Sequence, residues 1–206
     1  MKTVRVSLLV RDPHARGTLF LFGGTAFHFL YGSFRLLVGV LYRSYSVDVT
    51  AFFYLSLALA RLFLLRSQRE RKGAEATACR LAGRALFVTA GLMLLLIADS
   101  MAGEPISYPF YALIASGGYA VASASLAILE LLYLKRLRSP LLSASRAVGL
   151  ASTLLSSFGF LSDVLLSIEV LPLPLLEAIR LALGAFVFIF VLFLAAGLSH
   201  KQKSDA

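Results

Sequence analysis

The chain has 206 residues, 59% of them hydrophobic and only 15% charged, with a mean hydropathy of +0.83. That balance excludes an ordinary soluble domain, in which about a quarter of the residues are charged. The net charge of +9 does not point to nucleic acid, because the basic residues sit in the gaps between apolar blocks instead of forming one basic surface.

A hydrocarbon core of about 30 Å needs about 20 helical residues to cross it. Six apolar blocks of that size occur, at Gly17–Tyr42, Val47–Leu65, Leu81–Asp99, Tyr108–Leu134, Pro140–Ile168 and Leu173–Leu198. The predicted fold is therefore an all-α, polytopic membrane bundle of six transmembrane helices, forming one domain over residues 1–206. Residues 1–16 and 199–206 are expected to be cytoplasmic tails.

The first block follows 16 polar or mixed residues, is 26 residues long and has no small-residue cleavage site. It is expected to stay as a membrane anchor. Residues Val4 to Val10 are mildly amphipathic and suit either a surface-lying segment or a frayed tail. Within the block His28, Tyr31, Arg35 and Tyr42 share one helical face, at offsets 0, 3, 7 and 14. Arg35 lies ~10 Å below the outer end, too deep for easy snorkelling, and needs a partner. The outer-leaflet carboxylates on offer are Asp48, Asp99, Asp163 and Glu177, with Asp163 favoured. His28 falls near mid-membrane, where a neutral ring bonded to a hydroxyl is the ordinary state and a proton relay the sharper one.

The second block carries Arg61, five residues before Arg66. The following segment, Ser67 to Arg80, reads as a basic loop of about 14 residues holding the single cysteine, Cys79, as an ordinary loop thiol. A loop that short has no room for a nucleotide-binding or catalytic module. One cysteine also excludes an internal disulfide and a cysteine-cluster metal site.

Block four places Ser116, Tyr119, Ser123 and Glu130 on one face, and Ala115, Gly118, Ala122 and Ser125 on a second, small-residue face suited to close contact with a neighbour. Glu130 lies ~8 Å inside the inner boundary, as Arg61 does, so the two suit an ion pair. The alternative is that both snorkel to the headgroups. Glu104-Pro105 and Tyr108-Pro109 punctuate the approach to this block, and Ser139-Pro140 reads as an N-cap and first-turn proline for block five.

Block five has the clearest stripe. Ser145, Gly149, Ser152, Ser156, Gly159 and Asp163 recur at spacings of 4, 3, 4, 3 and 4, all on one face. Such a stripe is either a close-packed seam with hydroxyls bonding across it or the lining of a wet path, the seam being the commoner use. Pro172 and Pro174 break the chain ahead of block six. Blocks three and six open with loosely similar residues, from Arg80 and Arg180, a weak sign of two inverted halves.

Of the 20 Lys and Arg residues, 14 fall before block one, between blocks two and three, between four and five, or after six, and Arg84 and Arg146, just inside blocks three and five, bring that side to 16. Short basic loops stay in the cytoplasm, so both termini are expected there. No phosphate-binding Gly-x-x-x-x-Gly-Lys, zinc His-Glu-x-x-His or Gly-x-Ser-x-Gly sequence occurs. The chain is read as not an enzyme, with no cofactor, no metal and no nucleic-acid partner. Its expected partners are the lipid bilayer and either a second copy of itself or another membrane protein.

Two segments, Tyr54-Leu-Ser-Leu-Ala-Leu-Ala-Arg61-Leu-Phe-Leu-Leu-Arg66 and Lys135-Arg-Leu-Arg-Ser-Pro-Leu-Leu-Ser-Ala-Ser-Arg146-Ala, resemble a family of uncharacterised six-helix membrane proteins of anaerobic Gram-positive bacteria. The resemblance covers blocks two to five. It implies a bacterial cell membrane and makes Arg61 and the Ser139-Pro140 turn part of a shared frame, with no activity to carry over.

Intramembrane polar groups are costly and mark sites by default. The candidates are His28, Tyr31, Arg35, Arg61, Ser116, Tyr119, Ser123, Glu130, Ser152, Ser156 and Asp163. They favour a small transporter or channel-like protein for a small solute. A non-catalytic membrane subunit, binding substrate or assembling with a separate ATPase or membrane complex, is the alternative.

Overall fold

A computed structural model describes residues 13–68, 74–102, 110–134, 139–167 and 172–200. They form six α-helices: α1 (Pro13–Tyr42), α2 (Tyr45–Ser67), α3 (Ala74–Ala102), α4 (Phe110–Leu134), α5 (Pro140–Ser167) and α6 (Leu173–His200). All six are long and apolar enough to cross a membrane, and no strand occurs among the described residues. The distribution of side chains is that of a membrane bundle. Arg35, Arg61, Glu130 and Asp163 are buried, whereas Phe193, Phe110 and Leu30 stand on the outside. A charge leaves lipid for the interior, where it finds a counter-charge, and a large apolar side chain has no reason to leave the hydrocarbon.

Helix α5 touches each of the other five helices. Around it the rest form an open arc in the order α4, α1, α2, α3, α6, and α4 and α6 do not meet among the described residues. The small residues of α5 suit this central place, because Ala144, Ser145, Val148, Ala151 and Ser152 are fully enclosed and let neighbouring backbones come near. Glycines do the same where two helices cross closely. A Cβ at Gly32 of α1 would lie 3.2 Å from the backbone nitrogen of Leu55, and one at Gly83 of α3 would lie 3.0 Å from Ser199 Oγ of α6. Between α2 and α3, Ser56 and Thr89 share a 2.6 Å hydroxyl bond.

The turn from α1 to α2 is held by backbone geometry. Ser44 N–H donates to the Gly39 carbonyl at 3.0 Å and Arg43 N–H to the Val40 carbonyl at 3.4 Å, the paired bonds of a Schellman stop. Arg43 occupies the left-handed position with φ of 51°. Asp48 folds back over this stop, against Gly39, where any side chain would overlap its carboxylate.

The helices differ from the hydropathy blocks mainly at α3, which begins at Ala74 and not at Leu81. The expected loop Ser67–Arg80 therefore shrinks, since the Ala, Glu and Arg residues of Ala74-Glu-Ala-Thr-Ala-Cys-Arg are good helix formers that continue the helix beyond the apolar window. Cys79 accordingly lies within α3 and is buried against the core at 2% exposure, not in a loop. Pro174 lies inside the first turn of α6, with the Pro172 carbonyl accepting from Leu175 and Leu176 N–H. The first turn of a helix tolerates proline because its N–H has no partner there in any case. Ser139 opens α5 as expected, its carbonyl accepting from Ser143 N–H at 3.0 Å. The segment Val4–Val10 and the two dipeptides Glu104-Pro105 and Tyr108-Pro109 lie outside the described residues.

Candidate functional site

The polar residues of α1, α2, α4 and α5 meet in one column inside the bundle. At the end of α1, Arg35 Nη2 donates to Asp163 Oδ2 of α5 at 3.0 Å, and Arg35 Nε donates to Tyr31 Oη at 2.9 Å. Ser116 of α4 donates to the same Asp163 oxygen at 2.9 Å. One carboxylate thus ties three helices, and the deep guanidinium has the counter-charge that its position demands. The other carboxylates considered from sequence lie elsewhere: Asp48 is at the α1–α2 turn, Glu177 is exposed, and the Asp99 side chain lies outside the described set.

Below this knot the column is aromatic. The Tyr119 ring is wedged between Phe27 and Tyr31, which lie one turn apart on α1, with centroids 4.6 Å and 3.7 Å away. Tyr54 of α2 meets the edges of both tyrosines at 4.8 Å. The wedge carries the Tyr119 hydroxyl to His28 Nδ1 at 2.6 Å and to Ser152 Oγ at 3.3 Å. From Ser152 the hydroxyls continue to Ser123 at 3.1 Å and Thr153 at 3.3 Å. Thr153 donates to the backbone, with the Gly149 carbonyl at 3.0 Å and the Ser123 carbonyl at 3.2 Å.

At the other end Arg61 of α2 and Glu130 of α4 form an ion pair of 2.6 Å, both almost wholly buried at 2% and 1% side-chain exposure. Two glycines make the space. A Cβ at Gly24 of α1 would overlap the Arg61 guanidinium, and one at Gly149 of α5 would sit 2.8 Å from Glu130 Oε2 and 3.0 Å from Arg61 Nη2. Ser145, one turn before Gly149, lies beside Glu130 but outside hydrogen-bond geometry. Several buried atoms here have no partner: Arg61 Nε, Glu130 Oε2, Ser145 Oγ and, one turn above Gly24, His28 Nε2. Along α5, Gly149 and Asp163 are 14 residues apart, so the two ion pairs are separated by ~21 Å along the helix axis.

The structure brings His28, Tyr31, Arg35, Arg61, Ser116, Tyr119, Ser123, Glu130, Ser152 and Asp163 into this column. Ser156 is buried on the same α5 face but bonds to its own helix, at the Thr153 carbonyl. Sequence reasoning missed Phe27, Tyr54, Thr153 and Gly24. Tyr54 lies seven residues before Arg61 and Gly24 four before His28, so helical periodicity held a signal for both. The second face of α4 is not covered by any helix of this chain among the described residues. Gly118 and Ser125 are exposed, Ala115 and Ala122 only half-buried, and a Cβ at Gly118 would meet nothing within 4 Å. The polar face is buried because it holds the partners for charges, which outweighs the close contact that small side chains permit.

Among the described residues no group of three or more His, Cys, Asp or Glu side chains is placed to hold a metal ion. No protein-family model and no curated protein matches the chain.

Proposed function

We propose that this protein is a multi-pass transporter or channel-like protein of the cell membrane, for a small solute, in a state closed at both ends. The observation that carries the reading is the bracketing of a mid-membrane hydroxyl and imidazole chain by two buried ion pairs on different helices. Arg35–Asp163 joins α1 to α5, and Arg61–Glu130 joins α2 to α4. Pairs at opposite depths that part in turn are a physical means of alternating access to a central site. The basic gaps support cytoplasmic termini, and with that orientation Arg61–Glu130 is the inner gate. The role is proposed as non-enzymatic, since His28 gives its Nδ1 to a tyrosine and not to a serine or cysteine nucleophile.

Ser156→Cys in a Cys79→Ser background tests this reading, because Ser156 lies between the gates and takes no part in the cross-helix chain. Neutralising the inner pair as Arg61→Gln with Glu130→Gln should admit a membrane-impermeant thiol reagent from the cytoplasmic face. Arg35→Gln with Asp163→Asn should admit it from the outer face. Protection from both faces in both variants overturns the reading.

The uncovered α4 face of Ala115, Gly118, Ala122 and Ser125 supports a second reading, a non-catalytic membrane subunit or homo-oligomer in which a partner helix packs there. Gly118→Leu then disrupts a complex seen by crosslinking in native membranes and leaves the monomer folded.

A further inference from the structure

We propose that His28 Nε2 is a proton-accepting atom and that its protonation opens the inner gate, which makes the proton a coupling ion for the transport reading above, on which this inference rests. The argument starts from the far end of the hydroxyl chain. Thr153 has one hydroxyl proton and two backbone carbonyls within 3.2 Å, and a carbonyl only accepts. Its proton therefore goes to the backbone, and its oxygen is left to accept from Ser123.

Ser123, having donated, accepts from Ser152, which accepts from the Tyr119 hydroxyl, which accepts from His28 Nδ1. In this direction every proton in the chain is used. In the reverse direction the contact from Ser123 to Thr153 holds no proton, and a buried N–H at Nε2 has no acceptor. The forward direction makes one more hydrogen bond and orphans no donor, which costs less in a dry interior. His28 is then the Nδ1–H tautomer, with a bare, buried lone pair on Nε2.

The charged and titratable groups around that atom follow from the packing. On α1 they are Tyr31 and Arg35, from α2 Tyr54 and Arg61, and from α4 Tyr119 and Glu130. Helix α5 presents the hydroxyls of Ser152 and Thr153 at this level, Asp163 at the outer end and Arg146 at the inner end, within electrostatic reach of Glu130. The Arg61 guanidinium lies against Gly24, ~6 Å along α1 from His28. A proton from the aqueous phase adds to the Nε2 lone pair, with no bond broken and the Nδ1 bond to Tyr119 kept. The imidazolium that results shares a medium of low dielectric with the Arg61–Glu130 pair, whose guanidinium, and not its carboxylate, is the member that faces α1 at Gly24. Charged His28 and a closed Arg61–Glu130 gate therefore disfavour one another, and by linkage an opened gate binds the proton more tightly.

The test is 15N spectroscopy of the full chain in liposomes, labelled at histidine and carrying His14→Gln and His200→Gln so that His28 is the only histidine. At about pH 8 the spectrum should show a protonated Nδ1 and a bare Nε2. In the background of Arg61→Gln with Glu130→Gln, which keeps the net charge, the bare resonance should vanish at a pH about one unit or more above the parent's, a tenfold gain in proton affinity. An Nε2–H tautomer in the parent overturns the proposal. So does a double variant that titrates no higher than the parent. Either failure leaves the thiol-access experiment untouched, so the transport reading stands or falls separately.

Discussion

Gly24 and Gly149 are small because the Arg61 guanidinium and the Glu130 carboxylate occupy the space a side chain would take. Gly24→Ala is expected to push Arg61 off its partner and to cost about 2–3 kcal/mol, a large part of what breaking a buried pair costs. Gly23→Ala, one residue along in the same helix, meets nothing within 4 Å and should gain about 0.5–1 kcal/mol from helix propensity. Thermal unfolding in detergent compares the two, and equal effects would remove the steric argument. Arg61→Ala alone should cost about 3–5 kcal/mol, and the added Glu130→Ala should restore part of the loss, since the double variant leaves no lone charge. Strictly additive losses would mean that the pair contributes nothing as a pair. Much of this was legible in sequence, because depth forces the matter. Arg35 and Glu130 lie too far from water to be ignored, and Asp163 and Arg61 stand at matching depths. Tyr31 and Tyr119 were legible as polar-face residues, but their stacking with Phe27 and Tyr54 was not, since helical periodicity says nothing of ring orientation.

At the scale of the helix, the apolar blocks located the six elements well but not their ends. Hydropathy marks where lipid begins, whereas a helix ends where its carbonyls find other partners. That is why α3 runs back to Ala74 and carries Cys79 into the core. The stop of α1 was hidden for a different reason. A Schellman stop is normally signalled by glycine, and here Arg43 holds the left-handed position at φ 51°. The strain suggests a direct experiment: Arg43→Gly should stabilise the protein by about 0.5–1 kcal/mol, read as a rise in unfolding temperature. A fall would show that the Arg43 side chain earns its place through contacts that outweigh the backbone strain.

For the whole molecule, the arrangement puts the two ion pairs toward opposite ends of the bundle, so the inner and outer gate roles proposed for them depend on which end faces the cytoplasm. Arg61, Glu130, Gly24 and Ser145 belong to the end where α1 begins, α2 and α4 finish and α5 starts. The 16 basic residues that flank the apolar blocks or lie just inside them gather at that same end, and short basic segments resist translocation. Six crossings return the chain to the side from which it started, so Ala206 should share the side of the N-terminus. A cytoplasmic reporter fused at Ala206 is therefore expected to be active, and an export-dependent reporter fused after Gly103, beyond three crossings, should be active as well. Export-dependent activity at Ala206 would invert the bundle, making Arg35–Asp163 the cytoplasmic gate and reversing the sides from which each gate variant admits the thiol reagent. Activity of both reporter types at one position would instead mean that the basic gaps do not fix the orientation, and that a two-way topology has to be part of how this protein works.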